Sequence, residues 1–315
     1  HVIKMGKKFM KKAWLFPGQG SQKVGMGKDL YKKTNLGKKY FQLANEIMEY
    51  DIKSIIFDGP KESLKKTEHT QPAIYIISVL LGKLLLDKGF EPDVVAGHSL
   101  GEYSALAISN AFNFETGLEL VKIRSESMAN ASTLNKGTMA AIIGLEEKKI
   151  ESICSTYNGI GVVTIANYNS PNQIVISGST KAIQDTMQCA KDAGAKIAVE
   201  LKVSGAFHSP LMKPAREALA HKLNSLEIHD ITYPLYTNVD AKPITKGENI
   251  KNSLLRQLEN PVLWTKLILR MKKDSVSHFT EVGQGKVLQG LNKRIDKSFN
   301  SNGIESLSQM ESIFV

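Results

Sequence analysis

The chain has 315 residues, 42% of them hydrophobic, and a formal net charge of +10 carried by 36 lysines against 5 arginines. That length holds one large α/β domain, or a large domain carrying a smaller insert, and two cysteines, Cys154 and Cys189, exclude both a disulfide framework and a zinc cluster. The charge reads first as lysine-rich codon usage and second as a face for an acidic partner; nucleic acid is not expected, because no basic helix with interleaved aromatics and no zinc or helix-turn-helix signature is present.

Residues 1–4, ahead of Met5, read as a vector-derived remnant, and residues 1–12 lack the apolar core of a secretory signal. Ala13-Trp14-Leu15-Phe16 predicts a short buried strand, ended by the turn Pro17-Gly18-Gln19-Gly20-Ser21-Gln22. Helical spacing follows over 25–50 and again over 72–86. The apolar run 73–86 is broken by Lys83 and falls short of the roughly 20 residues of a membrane span, so no membrane is expected. Residues 94–97 predict the next strand, followed by a turn at Ser99 and a helix. Residues 114–131 predict a helix with Arg124 inside it. Strands alternating with helices of this length indicate a parallel sheet covered on both faces.

The rhythm then changes. Strands are expected at 138–144, 162–167, 173–177 and 196–201, with helices at 146–157 and 180–193 and a turn at 169–172. That βαββαβ order is the signature of a ferredoxin-like unit. The α/β pattern resumes with a helix at 211–226, a strand at 233–237, helices near Asn252 and Trp264, a strand at 278–282 and a helix at 286–295. The expected architecture is α/β: a large α/β-hydrolase-like domain with a parallel sheet (10–135 and 204–310) and an inserted small ferredoxin-like domain (136–203).

Val95-Ala96-Gly97-His98-Ser99-Leu100-Gly101-Glu102 places Ser99 in a Gly-x-Ser-x-Gly frame between a strand and a helix. A serine hydroxyl is a poor nucleophile unless the backbone lifts it from the sheet and a base takes its proton. Glycines on both sides permit the sharp turn, and the helix N-terminus offers free N–H groups to a developing negative charge. Among seven histidines, His208 is the candidate base, in the loop Gly205-Ala206-Phe207-His208-Ser209-Pro210. His98 points away from its neighbour Ser99 and reads as support for the turn. His69, His221 and His229 look surface-like, and His278 looks packed. Asp185 and Asp192, between serine and histidine, read as solvated charge, so no orienting carboxylate is visible by spacing; a carbonyl can take that role. The 17–22 loop is either an oxyanion-binding loop or a plain glycine turn, and it lacks the spacing of a dinucleotide site. Arg124 is either a snorkelling surface arginine or a buried cation awaiting a carboxylate.

Several segments together resemble the malonyl-CoA:acyl carrier protein transacylase family: residues 16–22, Thr70-Gln71-Pro72-Ala73, residues 97–105, Arg124, Ala206-Phe207-His208-Ser209, Asn238-Val239-Asp240, Gln257-Leu258 and Asn260-Pro261-Val262. They run in order over about 13–295. The resemblance implies ping-pong acyl transfer in fatty-acid synthesis, with Ser99 as nucleophile, His208 as base and the Gln257 carbonyl orienting it. It further implies an oxyanion site at the main-chain N–H groups of Gln19 and Leu100, Arg124 on the malonyl carboxylate, and Gln71 lining the pocket. Phe207 beside the base leaves little room for an α-methyl branch. The implied partners are coenzyme A thioesters and an acidic acyl carrier protein; no cofactor or metal is implied, and the expected state is a cytoplasmic monomer. One departure is Gln284, where the family's Val-Gly-Pro-Gly reads Val282-Gly283-Gln284-Gly285 here; it is expected to lie away from the chemistry. Two other readings use part of the same residues. A serine hydrolase or thioesterase of the α/β class has no use for Arg124, and a non-catalytic carrier-protein-binding module needs only the basic surface.

Overall fold

The computed structural model describes residues 10–313, so the remnant expected at residues 1–4 lies outside the described residues. β1 (Lys11–Phe16) carries the buried Ala13–Phe16 run. The helical periodicity over 25–50 forms two helices, α1 (Lys28–Lys33) and α2 (Asn35–Met48). Thr34 divides them: its backbone is extended, and its Oγ1 accepts from the Gly37 N–H at 2.9 Å as a helix cap. The short helices α3 (Ile52–Asp58) and α4 (Lys61–Leu64) follow.

α5 (Thr67–Asp87) begins a turn earlier than the start expected at Pro72. Pro72 has no N–H for the Glu68 carbonyl, and the Tyr50 hydroxyl donates to that carbonyl instead, at 3.4 Å. Every residue over 70–82 is buried. By length and composition this helix matches a membrane span, yet 78% of its most apolar window is buried inside the fold, which makes it the core helix. β2 (Val94–Gly97) then leads through Ser99 into the wholly buried α6 (Gly101–Ile108), and α7 (Phe114–Leu134) follows.

β3 (Gly137–Ile143), α8 (Glu147–Ser155), β4 (Val163–Ser170), β5 (Gln173–Ser179), α9 (Thr180–Asp192) and β6 (Ile197–Glu200) come in the order expected of the insert. β4 runs through Ser170, so the hairpin turn is only Pro171-Asn172. The remaining elements are α10 (Lys213–Asn224), β7 (Leu235–Tyr236), β8 (Pro243–Ile244), α11 (Gly247–Gln257), α12 (Trp264–Lys273), β9 (Val276–Val282), α13 (Val287–Ile295), β10 (Asn300–Ile304) and α14 (Leu307–Ser312). α3, α4, β8, β10 and α14 are too short or too polar to carry a periodicity and were not expected.

The larger sheet has the order β10-β9-β1-β2-β7-β8, parallel except for β8. The smaller, β4-β5-β3-β6, is antiparallel throughout. Together they make a mixed α/β fold. β1 is buried on both faces: Trp14 and Phe16 join the core of α2, α5, α6 and α7, whereas Ala13 and Leu15 join the core under α12 and α13. Main-chain bonds tie the two sheets, with Tyr168 N–H donating to Val262 O at 2.9 Å and Val262 N–H to Ala166 O at 2.8 Å. The loops after β1, β2 and β7 leave the same carboxyl edge of the larger sheet, where sites form in open α/β sheets.

Gly101 sets how closely the first two loops approach: a Cβ there would stand 2.0 Å from the Phe16 carbonyl oxygen. Gly101→Ala is therefore expected to destabilise the fold by roughly 2 kcal/mol or more, read as a lowered denaturation midpoint. An unchanged midpoint would mean that the loops part freely.

Candidate active site

Ser99 sits on the turn between β2 and α6 with φ +52°, a left-handed conformation that a non-glycine residue adopts only when its surroundings enforce it. The surroundings are two amides. The Ser99 N–H donates to Asn238 Oδ1 at 2.8 Å, and Gln257 Nε2 donates to the Ser99 carbonyl at 2.9 Å. The hydroxyl is thereby presented to His208, whose Nε2 lies 2.8 Å from Ser99 Oγ. His208 Nδ1 donates to the Gln257 carbonyl at 2.8 Å, with the Asn260 carbonyl at 3.2 Å, so Nε2 is left as the proton acceptor. Both Nδ1 partners are carbonyls, and no carboxylate takes the third place. Burial, and next the Arg124 guanidinium, push the His208 pKa down to about 3.

His98 faces away from this pair: its Nε2 meets Asn169 Oδ1 at 2.8 Å and its ring packs on Trp264. Asp185 and Asp192 stay on the small sheet's helix, paired with Lys181 and Gln188.

Arg124, on α7, is only 1% exposed, which decides between the two readings of its spacing: it is a buried cation. Nη1 donates to Gln71 Oε1 at 2.5 Å, and Nη2 donates to Gln257 Oε1 and to Ser99 Oγ, both at 3.0 Å. Its Nε has no partner, and among the described residues it forms no ion pair. Burial lowers its pKa, opposed by Tyr103, whose ring lies 5.5 Å from the guanidinium, and by Glu102.

The Gln19 loop reaches the same place from β1. A Cβ on Gly18 would lie 2.4 Å from the His98 carbonyl oxygen, so the two loops are in contact. The main-chain N–H groups of Gln19 and Leu100 find no acceptor among the described residues. A cleft of about 220 Å³ between the two sheets brings Gln19, Gln71, Ser99, Leu100, Arg124, Phe207 and His208 together. Gln257 stands behind it, fully buried. The small sheet contributes Asn167 and Asn169, which sequence reasoning missed; two asparagines in an apolar strand were the available signal. Glu102 was missed too, although it is an acid in a wholly buried helix. Gln284 does not line the cleft, in keeping with the expectation. Gly283 packs on Pro17 and Gly285 on Ser21, so its loop abuts the Gln19 loop, and Gln284 Nε2 donates to Glu305 at 2.7 Å.

A family model described as the acyl transferase domain matches residues 13–308. The chain belongs to the acyl transferase domain family. Over 300 residues it is 40% identical to the malonyl CoA-acyl carrier protein transacylase of Bacillus subtilis (strain 168), covering 95% of each chain. It resembles the solved acyl carrier protein S-malonyltransferase of Vibrio cholerae with a TM-score of 0.92 and 40% identity, over 96% of this chain and 99% of that one. A malonyl-transacylase solved in complex with its type II PKS acyl carrier protein superposes with a TM-score of 0.92 at 37% identity, over 96% and 98% of the two chains.

A histidine that is to take the proton of Ser99 must be neutral. Because the folded pKa is depressed from 6.5, the neutral form persists as pH falls through the ordinary histidine midpoint. The unfolded chain does bind that proton, so stability falls below pH 6.5 even while the base survives. The acylation rate is thus expected to stay flat through pH 6.5 in rapid-quench measurements. Half-loss at that pH would show that His208 titrates as a solvated group.

Proposed function

We propose that this acyltransferase carries a malonyl group from malonyl-CoA to the phosphopantetheine thiol of acyl carrier protein, through a malonyl ester on Ser99. Ser99 Oγ attacks the thioester carbon while His208 Nε2 takes its proton. The oxyanion is received by the N–H groups of Gln19 and Leu100. As the tetrahedral adduct collapses, the carbon–sulfur bond breaks and coenzyme A leaves with the proton held by His208. The carrier thiol then reverses the sequence and regenerates Ser99. The observation that carries this reading is Arg124, a buried guanidinium with no carboxylate of its own, 3.0 Å from the nucleophilic oxygen. A buried charge costs several kcal/mol unless paired, so the site favours an acyl group that brings a carboxylate. The names of the relatives support the same substrate.

The hydrolase reading has less support, since the two Nδ1 partners of His208 are carbonyls and Arg124 would have no task. A non-catalytic module leaves the short Ser99–His208 contact unexplained. We also read residues 136–203 as a ferredoxin-like domain inserted into an α/β-hydrolase-like one (10–135 and 204–310), because the strand order β4-β5-β3-β6 is that of a ferredoxin-like sheet. Acyl carrier protein as partner is supported by the solved relative complex, and the net charge of +10 suits an acidic one. The same reading makes the protein a cytoplasmic monomer of fatty-acid synthesis that needs no cofactor.

Incubation with malonyl-CoA should add one malonyl group to the wild-type intact mass and none to Ser99→Ala; an adduct on that variant would assign the nucleophile elsewhere. Arg124→Ala should slow malonyl transfer on the order of a hundredfold while sparing acetyl transfer. Equal losses for both acyl groups would give Arg124 a folding role only.

A further inference from the structure

Glu102 is a buried acid with no part in the transfer steps above. It lies in the first turn of α6 without exposed surface, and burial pushes its pKa up to about 8. Both of its oxygens face donors. The Asn238 main-chain N–H donates to Oε1 at 2.6 Å, and Gln257 Nε2 donates to Oε2 at 2.5 Å. Each donor belongs to a residue whose other atoms hold the reacting groups. Asn238 Oδ1 accepts the Ser99 N–H, and its Nδ2 donates to the Gly97 carbonyl at 2.7 Å. Gln257 holds the Ser99 carbonyl with Nε2, Arg124 with Oε1, and His208 with its main-chain oxygen.

The direction of these bonds matters more than their number. A side-chain amide can turn over and exchange its oxygen and nitrogen with little change of shape. Gln257 is denied that freedom, because Arg124 only donates and takes the amide oxygen, while Glu102 Oε2 accepts from the amide nitrogen. Turning the amide over would set its N–H₂ group against the guanidinium and break that bond. Of the charged groups near Glu102, Asp240 is already engaged bidentately by Arg256 at 2.8 and 3.0 Å, which leaves Arg124 as the cation it faces.

We propose that Glu102 is a positioning residue for acyl transfer: it fixes the amide of Gln257 and the seat of Asn238, and through them the angle at which Ser99, His208 and Arg124 meet. This rests on the acyl-transfer reading of Ser99. A carboxyl that merely filled the core would, when replaced, reduce the number of working molecules and leave each one unaltered. A positioning carboxyl changes the chemistry of every molecule that still folds.

Glu102→Gln separates the two. It keeps the shape of the side chain but aims an amide N–H₂ at one of two donors, so the Gln257 amide loses its fixed orientation. The reaction is followed with malonyl-CoA and with acetyl-CoA, with rates expressed per site titrated by acylation. The expected result is a kcat per site lowered about tenfold or more, with a smaller change in KM. The malonyl-to-acetyl preference should narrow, because Arg124 has lost its anchor. Combined with Gln257→Leu, the losses should fail to multiply, since both substitutions break the same bond. An unchanged rate per site and preference, or losses that multiply, would overturn the proposal. If Glu102→Gln does not fold, Gln257→Leu decides alone, because it keeps the main-chain carbonyl that His208 uses; an unchanged acyl preference there overturns the proposal as well. Wild-type protein in the same assay separates the two levels. Absence of a wild-type adduct defeats the transferase reading, whereas a normal adduct with an unaffected Glu102→Gln defeats only this one.

Discussion

A guanidinium held away from water without a carboxylate constrains everything around it. Arg124 gives its hydrogen bonds to two amide oxygens and a hydroxyl and lies over the Tyr103 ring, with no ion pair among the described residues. Such an arrangement persists only where the surrounding dipoles are fixed, since mobile groups would rotate away or admit water. The fold supplies that rigidity from three directions. Gln71 comes from the buried helix α5, Gln257 from the end of α11, and Ser99 from the strained turn before α6. Gln71 and Gln257 are both buried where they meet Arg124.

The two sheets have complementary tasks. The parallel sheet, buried on both faces, fixes the loops that carry Gln19, Ser99 and Asn238, so the distances among them follow from strand spacing and close loop contact. The antiparallel sheet closes the cleft from the other side with Met139, Ala141 and Val175, and Asn169 reaches His98 from β4. Main-chain bonds between β4 and the segment before α12 join the two sheets at the edge of the cleft. The cleft walls are therefore tied by backbone, which keeps the guanidinium and the nucleophile in one register.

Features with a short sequence range were legible. The elbow at Ser99 showed itself because both glycines, the strand and the helix fall within a dozen neighbouring positions. His208 showed itself by a loop built of glycine and proline. Arg256, one of five arginines in a lysine-rich chain, makes a planar bidentate pair with Asp240. What remained hidden depends on residues far apart in the chain. The Ser99 N–H meets Asn238 across 139 positions, and Gln257 meets Glu102 across 155, and nothing in the local pattern of either residue records the contact. The division at Thr34 rests on a capping threonine, which the apolar periodicity running through it does not record. β10, with Asn300, Ser301, Asn302 and Gly303, pairs through its backbone alone, so its side chains carry no strand signal.

The same cation also acts on the base. Arg124 stands beside Ser99 Oγ, as does His208 Nε2, so an empty site opposes a second positive charge on the imidazole, and burial opposes it further. In the proposed transfer, movement of the Ser99 proton to His208 creates that charge. A carboxylate seated on Arg124 cancels the nearer of the two obstacles, and the imidazolium formed during attack is then stabilised instead of repelled. An acyl group with no charge leaves the obstacle in place. In the proposed transfer, selectivity and reactivity share one cause: the group that reads the far end of the acyl chain also lowers the basicity at its reacting end, beside burial. In that proposal, water entering an unoccupied cleft meets a serine whose base accepts a proton only weakly, and the site is most reactive once a carboxylate is seated on Arg124.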